Sequence, residues 1–194
     1  MARPKSEDKR DALMAAATRV IAAQGLSAPT AVIAREAGVS NGSLFTYFET
    51  KTDLFNQLYL ELKAGMAAAS LAGLPVEAPL REQLFRMWLN WTRWATSDPD
   101  KRRALALLGV SDDIDQETRA ASHQAMAAVA RMLERARARG PMRDAPMELV
   151  LALMNSLAET TMDFMVSDPA NADEHCRTGF EALCRVLGDL FFLT

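Results

Sequence analysis

The sequence predicts an all-α protein, and two observations carry that prediction. Alanine, leucine, methionine and arginine are plentiful throughout, and no run of residues alternates with the period of two that marks a strand. In several segments apolar residues recur every three or four positions instead, as on one face of a helix. With 194 residues, 49% of them apolar, the chain is long enough to bury a substantial core.

The first predicted helix runs from about residue 7 to residue 24. Its apolar face holds Leu13, Ala17, Val20 and Ile21. Gly25 follows the helix and suits its C-terminal cap. A later helix is predicted to begin at Thr50 and Asp53, whose spacing is that of a capping box with Asp in place of Glu, and to end near residue 71.

Between these two helices, residues 30–51 have the pattern of a helix-turn-helix. Thr30 is predicted to cap a short helix over about 31–37, and Gly38 makes the turn after it. Ser40 is predicted to cap a second short helix over about 41–48. A helix of this length fits the major groove of DNA.

Five further helices are predicted after a break that contains Gly73, Pro75 and Pro79. They cover about 80–96, 100–109, 113–139, 146–166 and 172–192. The 80–96 helix is apolar on nearly all sides, which predicts that it is buried. The last helix carries an apolar stripe of Phe180, Leu183, Cys184, Leu187, Leu190 and Phe191.

The charge distribution limits the kinds of partner that the protein is expected to bind. The net charge is −3, and the 22 basic residues are spread along the chain rather than gathered in one broad basic region. An architectural DNA-binding protein needs such a region, so non-specific DNA packaging is disfavoured. Cys176 and Cys184, eight residues apart on one helix, cannot form a disulfide with each other and are interpreted as reduced thiols. No segment was expected to span a membrane, and a soluble, cytoplasmic protein is predicted.

The start of the second short helix carries small or short polar residues that suit close approach to DNA. They are Ser40, Asn41, Gly42 and Ser43. Asn41 can pair with a base edge, adenine best. Leu44 and Phe48 are four residues apart and should face inward, whereas Thr46 and Tyr47 should point outward.

The pattern A-x-x-A-G-V-S-x-G-S-L-F-x-Y-F, with the upstream Gly25-Leu26 and the lysine that follows, resembles the DNA-binding domain of the TetR family of bacterial transcriptional regulators over about residues 8–60. The resemblance implies two sets of DNA-contacting positions. Those that contact phosphates are Thr30, Ser43, Thr46, Tyr47 and Lys51. Those that face base edges are Asn41, Gly42 and Phe45.

The chain departs from the family pattern at three positions. Phe45 stands where Tyr is common, so one polar contact is lost. Pro29 and Ala31 stand where many members carry Thr and a longer polar side chain, which removes expected phosphate contacts from the preceding helix. The second short helix, over about 41–48, has no Arg or Lys. Bidentate guanine recognition would therefore have to come from Arg3 and Lys5 in the minor groove.

The resemblance also implies a division of labour along the chain. Residues 1–50 read DNA, residues 51–74 form a connecting helix, and residues 75–194 sense an effector and dimerise. The last two long helices, with their apolar stripes, are expected to build a four-helix dimer interface, since a palindromic operator needs two reading helices in register. A small, mostly apolar effector is predicted to release a repressor from its operator.

The predicted effector pocket is rich in aromatic and methionine side chains. Its predicted lining is Met87, Trp88, Trp91, Met126, Met154, Asn155, Glu159 and Met162. For any single aromatic residue of the 80–96 helix a place in the core is the better explanation, and for Glu159 a solvated face is an equally good one. The alternative function is a helical small-molecule-binding protein or enzyme that uses this cavity. No catalytic motif, cofactor or metal site is predicted from the sequence.

Overall fold

The computed structural model describes the backbone of residues 5–188 and the side chains of residues 7–188, and all regular elements in this range are helical. The first four are α1 (Lys5–Gln24), α2 (Thr30–Glu36), α3 (Asn41–Tyr47) and α4 (Lys51–Leu71). The next four are α5 (Leu80–Ser97), α6 (Pro99–Gly109), α7 (Gln116–Ala125) and α8 (Ala127–Arg137). The last are α9 (Met147–Ser167), a 3-10 turn (Pro169–Asn171) and α10 (Ala172–Leu187). The predicted all-α class is confirmed.

The helix boundaries differ from the predicted ones at three places. The single helix expected over 113–139 is divided at Met126, whose φ of −90° and ψ of 2° interrupt the helical geometry between α7 and α8. Thr30 is the first residue of α2 rather than its cap, because Pro29 takes the extended cap position without a side-chain hydrogen bond. α10 ends at Leu187, where Gly188 has a φ of 123°, and the predicted continuation to 192, with Leu190 and Phe191, lies outside the described residues.

The contacts divide the chain into two compact units. The first unit comprises residues up to 64 together with 98–124, and the second comprises 65–97 together with the residues from 125 onward. α6 and α7 therefore pack with the helix-turn-helix, although the sequence grouped them with the sensing segment. The division of labour predicted along the chain is a separate question, and it stays a prediction.

The core of the first unit lies behind the helix-turn-helix. α6 packs against α1, and Ala16, Ala17, Ala104 and Leu108 are buried members of the same core cluster. The larger side chains of this core come mainly from α1 to α4. They are Leu13, Ile21, Ile33, Leu44, Phe48, Leu54, Phe55 and Leu58. Truncating one of the buried aromatics would cost about 3–5 kcal/mol, so this cluster fixes the short helices α2 and α3 in place.

The core of the second unit is built on one face of α5. The expectation that this helix is apolar and buried on nearly all sides is wrong, because Glu82, Arg86 and Arg93 are exposed along its other side. Trp88 is fully buried, and its indole N–H donates to the Cys176 carbonyl on α10 at 3.0 Å. Thr92, also fully buried, donates its hydroxyl hydrogen to the Trp88 carbonyl. The described part of the α10 stripe, which is Phe180, Leu183, Cys184 and Leu187, is buried inside the same unit.

The length and apolar character of α9 bear on the expectation that no segment approaches a membrane span. Within the described residues, α9 is long and apolar enough to cross a membrane by length and composition alone, so the view that no segment approaches a span was wrong. In the second unit the helix packs against α5 and α10 and buries side chains along one face. These are Val150, Met154, Ala158, Thr161, Met162 and Met165. A helix that packs one face into a core meets the same length criterion, so the length of α9 is weak evidence for a membrane.

Candidate nucleic-acid interface

The first turn of α3 is fixed by a side-chain cap. Ser40 has extended backbone angles, φ −73° and ψ 153°, and its hydroxyl oxygen accepts a hydrogen bond from the Ser43 N–H at 3.1 Å. This confirms the predicted cap. Gly38 has a φ of 71°, a left-handed conformation that glycine adopts without strain, and it makes the turn before the cap. The position of the first turn of α3 is therefore determined by local geometry on both sides.

The inner face of α3 anchors it to the rest of the first unit. Leu44 and Phe48 are fully buried in the core cluster that also contains Ile33 and the apolar face of α1. The predicted inward orientation of both residues is confirmed. With these two side chains fixed, the rotation of α3 about its axis is set, and Phe45 and Thr46 between them are exposed. Tyr47, which was also predicted to point outward, is instead half-buried and packs against the core cluster.

The outer face of α3 presents the residues predicted to meet base edges. Asn41 and Gly42 are exposed, and Phe45 keeps 43% of its surface exposed, which is unusual for a large apolar side chain on a small unit. Ser43 is half-buried beneath the cap. Asn41, Gly42 and Phe45 thus lie together on one accessible surface that combines an amide, a bare backbone and an apolar ring.

The residues predicted to contact phosphates are less uniform. Thr46 is exposed, but its hydroxyl donates to the Gly42 carbonyl at 3.4 Å, so a phosphate would have to compete for that hydrogen. Tyr47 is half-buried and packs against the core. The ammonium group of Lys51 lies 5.3 Å from the centroid of the Phe55 ring, which holds this cation at the start of α4. Thr30, at the start of α2, is half-buried.

Two polar contacts fasten the connection from α3 to α4. The Asp53 N–H donates to the Thr50 hydroxyl and the Glu49 N–H donates to the Asp53 carboxylate, both at 2.9 Å. The predicted capping box is therefore present, with the carboxylate reaching one residue further back than the usual pattern. This box fixes Lys51 relative to the end of α3.

Arg10 adds a brace that sequence reasoning missed. Its guanidinium lies 5.9 Å from the Phe48 ring centroid and donates to Gln57 at 3.1 Å and Glu61 at 3.3 Å on α4. The sequence counted Arg10 only as a positive charge, because its partners are 47 and 51 residues away and no local pattern connects them. Its charge is neutralised by Glu61 at a half-exposed position, so it braces α1 on α4 rather than adding to a basic surface.

The two cations expected in the minor groove belong to Arg3 and Lys5. Arg3 and the side chain of Lys5 are outside the described residues. Within the described chain, α3 itself has no Arg or Lys.

The residues predicted to line an effector pocket fall into two groups in the second unit. Met87, Trp88, Trp91, Met154 and Met162 are buried, and Met126 is half-buried at the break between α7 and α8. Asn155 and Glu159 are exposed on α9, so these two side chains do not join the buried group. Two open cavities of about 740 and 370 Å³ occur in this unit, and neither is lined by any of the eight residues.

Comparison with known proteins identifies the helix-turn-helix. Residues 13–58 match the sequence model described as bacterial regulatory proteins of the tetR family. Over residues 13–58 the chain has the DNA-binding domain of the TetR family. It is accordingly a DNA-binding transcriptional regulator, and the α1–α3 geometry described above is its DNA-binding domain.

Solved structures of TetR-family regulators share the whole fold. A regulator from Shewanella sp. PV-4 is 28% identical, with a TM-score of 0.80 and coverage of 91% of this chain and 95% of that one. A regulator from Marinobacter aquaeolei VT8 is 22% identical, with a TM-score of 0.83 and coverage of 95% and 98%. The Mycobacterium smegmatis regulator LfrR, solved in complex with proflavine, is 20% identical, with a TM-score of 0.68 and coverage of 91% and 95%.

Proposed function

We propose that this TetR-family protein is a homodimeric repressor that binds a palindromic operator and is released by a small, mostly apolar effector. The observation that carries the DNA-binding part is the fixed α3 helix. Its cap, its buried Leu44 and Phe48 and the brace from Arg10 hold one exposed face outward. A reading helix needs this preorganisation, because each base contact depends on a side chain within hydrogen-bond reach of one groove position.

Within that surface, the proposed roles follow from chemistry and exposure. Asn41 hydrogen-bonds a base edge, the missing side chain of Gly42 lets the backbone approach, and Phe45 contacts a thymine methyl. Phosphate contacts come from the hydroxyl and ammonium groups around this face. These residues are Thr30, Ser40, Ser43, Thr46, Tyr47 and Lys51. Because these contacts are to phosphates, they set affinity and register rather than sequence preference.

The proposed dimer interface is the exposed side of α9 and α10. Leu149, Leu153 and Phe164 keep 48%, 36% and 56% of their surface exposed, and their spacing puts them on one face of α9. The 370 Å³ groove beside this face is lined by residues of both helices, including Thr160 and Thr178. A second copy that brings the same face would bury these apolar side chains in an isologous four-helix contact.

The proposed interface leaves out the apolar stripe of α10, which was expected to contribute to it. Leu187 is 1% exposed within one subunit, so it stabilises the second unit rather than waiting for a partner. Charging it would unfold the unit and would not report on dimerisation.

The proposed effector site remains the aromatic and methionine cluster around α5, without Asn155 and Glu159. It is supported by the grouping of Trp88, Trp91 and Met162 in one unit and by the proflavine that LfrR binds. Neither open cavity of the unit is lined by these buried side chains, so an effector must displace some of them to enter. An effector in this cluster should change the tryptophan fluorescence and the operator affinity together, since a ligand shifts an equilibrium only through different affinities for its two states. A compound that changes only the fluorescence is bound but is not the effector.

We propose no catalytic activity, since the family consists of transcriptional regulators. A cytoplasmic location is proposed on the same ground, with the apolar face of α9 covered by the partner subunit rather than by lipid.

The decisive experiment is selection of operator DNA. The full-length protein is incubated with a pool of random duplexes, and bound DNA is recovered, amplified and sequenced over several rounds. We expect an inverted repeat whose half-sites lie on one face of the duplex, one or more helical turns apart. Recovery of no common sequence from the wild type, together with equal affinity for all duplexes, would overturn the proposal.

A further inference from the structure

An open cavity of about 740 Å³ lies in the second unit, between the amino end of α5 and the carboxyl end of α8. Its volume is in the range of small-molecule sites, and it shares no described lining residue with the effector cluster or the dimer surface proposed above. The apolar residues that line it are Ala78, Pro79, Leu80 and Ala138, and the charged ones are Glu77, Arg135 and Arg139. The cavity therefore combines an apolar lining with two guanidinium groups and one carboxylate.

The two arginines of this cavity, Arg135 and Arg139, have no partner among the described side chains. Both are exposed, and within the described residues neither side chain has a hydrogen bond or an ion pair. Ala138, which lies between them, keeps helical backbone angles of φ −54° and ψ −26°, so the helical path of α8 continues toward Arg139. Residues four apart on such a path lie one turn apart on the same face. The two guanidinium groups are therefore directed to the same side of the helix, where both line the cavity.

The acidic residues close to these arginines in the sequence are already paired with other arginines. Glu134 pairs with Arg137 at 2.7 Å, and Asp144 pairs with Arg143 at 2.9 Å. Glu77 lines the cavity, but in the described part of the chain it forms no ion pair with either cavity arginine. Two guanidinium groups without a counter-charge attract an anion, and they do so more strongly where apolar walls exclude part of the surrounding water.

The walls of the cavity are held by hydrogen bonds from buried side chains. Gln83 on α5 is buried, and its amide nitrogen donates to the carbonyls of Val76 at 3.0 Å and Ala78 at 2.7 Å, which fixes the segment before α5. On the other side, buried Arg137 donates to the Met142 carbonyl at 3.0 Å and holds the end of α8 on the turn that follows it. A preformed cavity binds a ligand without the entropy cost of ordering its walls.

We propose that this cavity binds a small molecule with one carboxylate on an apolar body. The carboxylate lies between Arg135 and Arg139, because a guanidinium can donate two parallel N–H···O bonds to a carboxylate. The amino end of α5 at Leu80 adds partial positive charge to the same cavity. The apolar body covers the alanine, proline and leucine side chains of the lining, and Glu77 repels a second acid group. The site uses none of the residues assigned to DNA, effector or dimer contacts, so the inference does not depend on the proposed repressor function.

Isothermal titration calorimetry on the full-length protein without DNA tests the site. The probe is 1-naphthoate, which carries one carboxylate on an aromatic body, and the comparison compound is 1-naphthalenemethanol, which has the same rings and no charge. We expect 1-naphthoate to bind one site per subunit with a Kd below about 1 mM at low salt, and the alcohol to bind at least about tenfold more weakly. Raising the chloride concentration should weaken the binding of 1-naphthoate, because salt screens the attraction between the exposed guanidinium groups and the carboxylate.

Three substitutions change the charge of the lining and leave its apolar part intact. Arg135→Gln and Arg139→Gln should each weaken the binding of 1-naphthoate by about three- to tenfold, because each removes a charged donor at an exposed position. Glu77→Gln should instead strengthen the binding by about twofold, because it removes a repelling charge. Arg143→Gln is the matched control, because Arg143 is exposed, pairs with Asp144 and does not line the cavity, so the Kd should equal that of the wild type. Circular dichroism melts show whether each variant is folded before titration.

The inference is overturned if the wild type does not bind 1-naphthoate at about 10 mM, or if the neutral alcohol binds as tightly as the carboxylate. It is also overturned if the double variant Arg135→Gln/Arg139→Gln keeps the wild-type Kd, because the probe would then lie elsewhere, for example among the tryptophans of α5. If a variant fails to fold, the salt series on the wild type decides, since a Kd that does not rise between about 0.05 and 0.5 M chloride contradicts a carboxylate held by exposed guanidinium groups. Operator selection is a separate measurement, so failure of the naphthoate titration leaves the proposed function standing, and failure of the selection leaves this site standing.

Discussion

Gly179 on α10 lies against Thr161 on α9 so closely that no methyl group fits between them. A Cβ atom at Gly179 would stand 2.0 Å from Oγ1 and 2.9 Å from Cγ2 of Thr161. The threonine hydroxyl is already committed, because it donates to the Leu157 carbonyl at 2.7 Å. The closest approach of the two helices that flank the proposed dimer surface therefore depends on a missing side chain.

Gly179→Ala should destabilise the second unit, even though alanine is the better helix former. Overpacking of this kind costs about 1–3 kcal/mol in the free energy of unfolding. Chemical denaturation followed by circular dichroism measures it. Gly65→Ala is the matched control, because no atom lies within 4 Å of the position of its Cβ, and the change should stabilise α4 by up to about 1 kcal/mol. Adding Thr161→Ala should restore part of the loss, and strict additivity of the two changes would contradict the steric explanation.

Trp88→Phe should lower the free energy of unfolding by about 1–3 kcal/mol. The change removes the indole donor to the Cys176 carbonyl and leaves a small cavity at a fully buried position. Trp94→Phe is the control, since Trp94 is half-buried and its indole N–H has no hydrogen bond within the described part of the chain. Equal destabilisation by the two substitutions would show that the Cys176 hydrogen bond contributes nothing.

Leu153→Glu and Phe164→Glu should each convert the protein to a folded monomer. Both side chains lie on the exposed face of α9 proposed as the dimer surface, and a carboxylate there would be buried opposite its own copy. Light scattering coupled to size exclusion gives the mass, and circular dichroism shows whether the helices persist. Val166→Glu is the matched control, because Val166 is 50% exposed but lies on a different face of α9. A wild-type protein that is monomeric at micromolar concentration would refute the interface.

Asn41→Ala and Lys51→Ala should weaken DNA binding in different ways. Loss of the Asn41 amide should cost about 1–3 kcal/mol on the selected operator and little on random DNA, because only a base contact distinguishes the two. Loss of the Lys51 charge should weaken binding to both and reduce the slope of log K against log salt by about one. Fluorescence anisotropy titrations at several salt concentrations measure both quantities. An unchanged operator-to-random ratio in Asn41→Ala would show that Asn41 does not face a base.

Asp115 should make the stability of the first unit depend on pH in the acid range. Its carboxylate accepts the Thr118 N–H at 2.7 Å, and this backbone hydrogen bond lowers the pKa of Asp115 below its usual value. Because the folded-state pKa is the lower one, the stabilisation is present above the unfolded pKa of about 3.9 and is lost as the pH falls through the folded value.

The expected change on substitution follows from that sign. Asp115→Asn keeps a capping oxygen but cannot titrate, so the unfolding midpoint should vary less with pH below about pH 4. Asp115→Ala should lower the midpoint at neutral pH as well, because the cap itself is lost. Circular dichroism melts over a pH series test both, and an identical acid profile for wild type and Asp115→Asn would exclude this carboxylate as the titrating group.

Local patterns in the sequence predicted the cap and the buried face of α3 and the start of α4 well, because these features depend on neighbouring residues. The Ser40 cap, the Gly38 turn, the inward Leu44 and Phe48 and the Thr50–Asp53 box each depend on residues within a few positions of one another. The periods that place Leu44 and Phe48 on one face follow from helix geometry alone. The burial of α5 was predicted only for one face, because Glu82, Arg86 and Arg93 keep the other side of the helix exposed.

The remaining features were decided by contacts between distant parts of the chain. α6 and α7 belong to the first unit because α6 packs against α1 and buries Ala104 and Leu108 in that core, and because the Asn56 amide donates to the Asp113 carbonyl and accepts from the Asp115 N–H. The α10 stripe, which the sequence offered to a partner, was buried within its own subunit. The amino-acid sequence by itself determined which segments are helical, where the caps of α3 and α4 lie and which residues form the helix-turn-helix. Only the tertiary structure decided which apolar face meets which, because a helical stripe records that a face is buried and not what buries it.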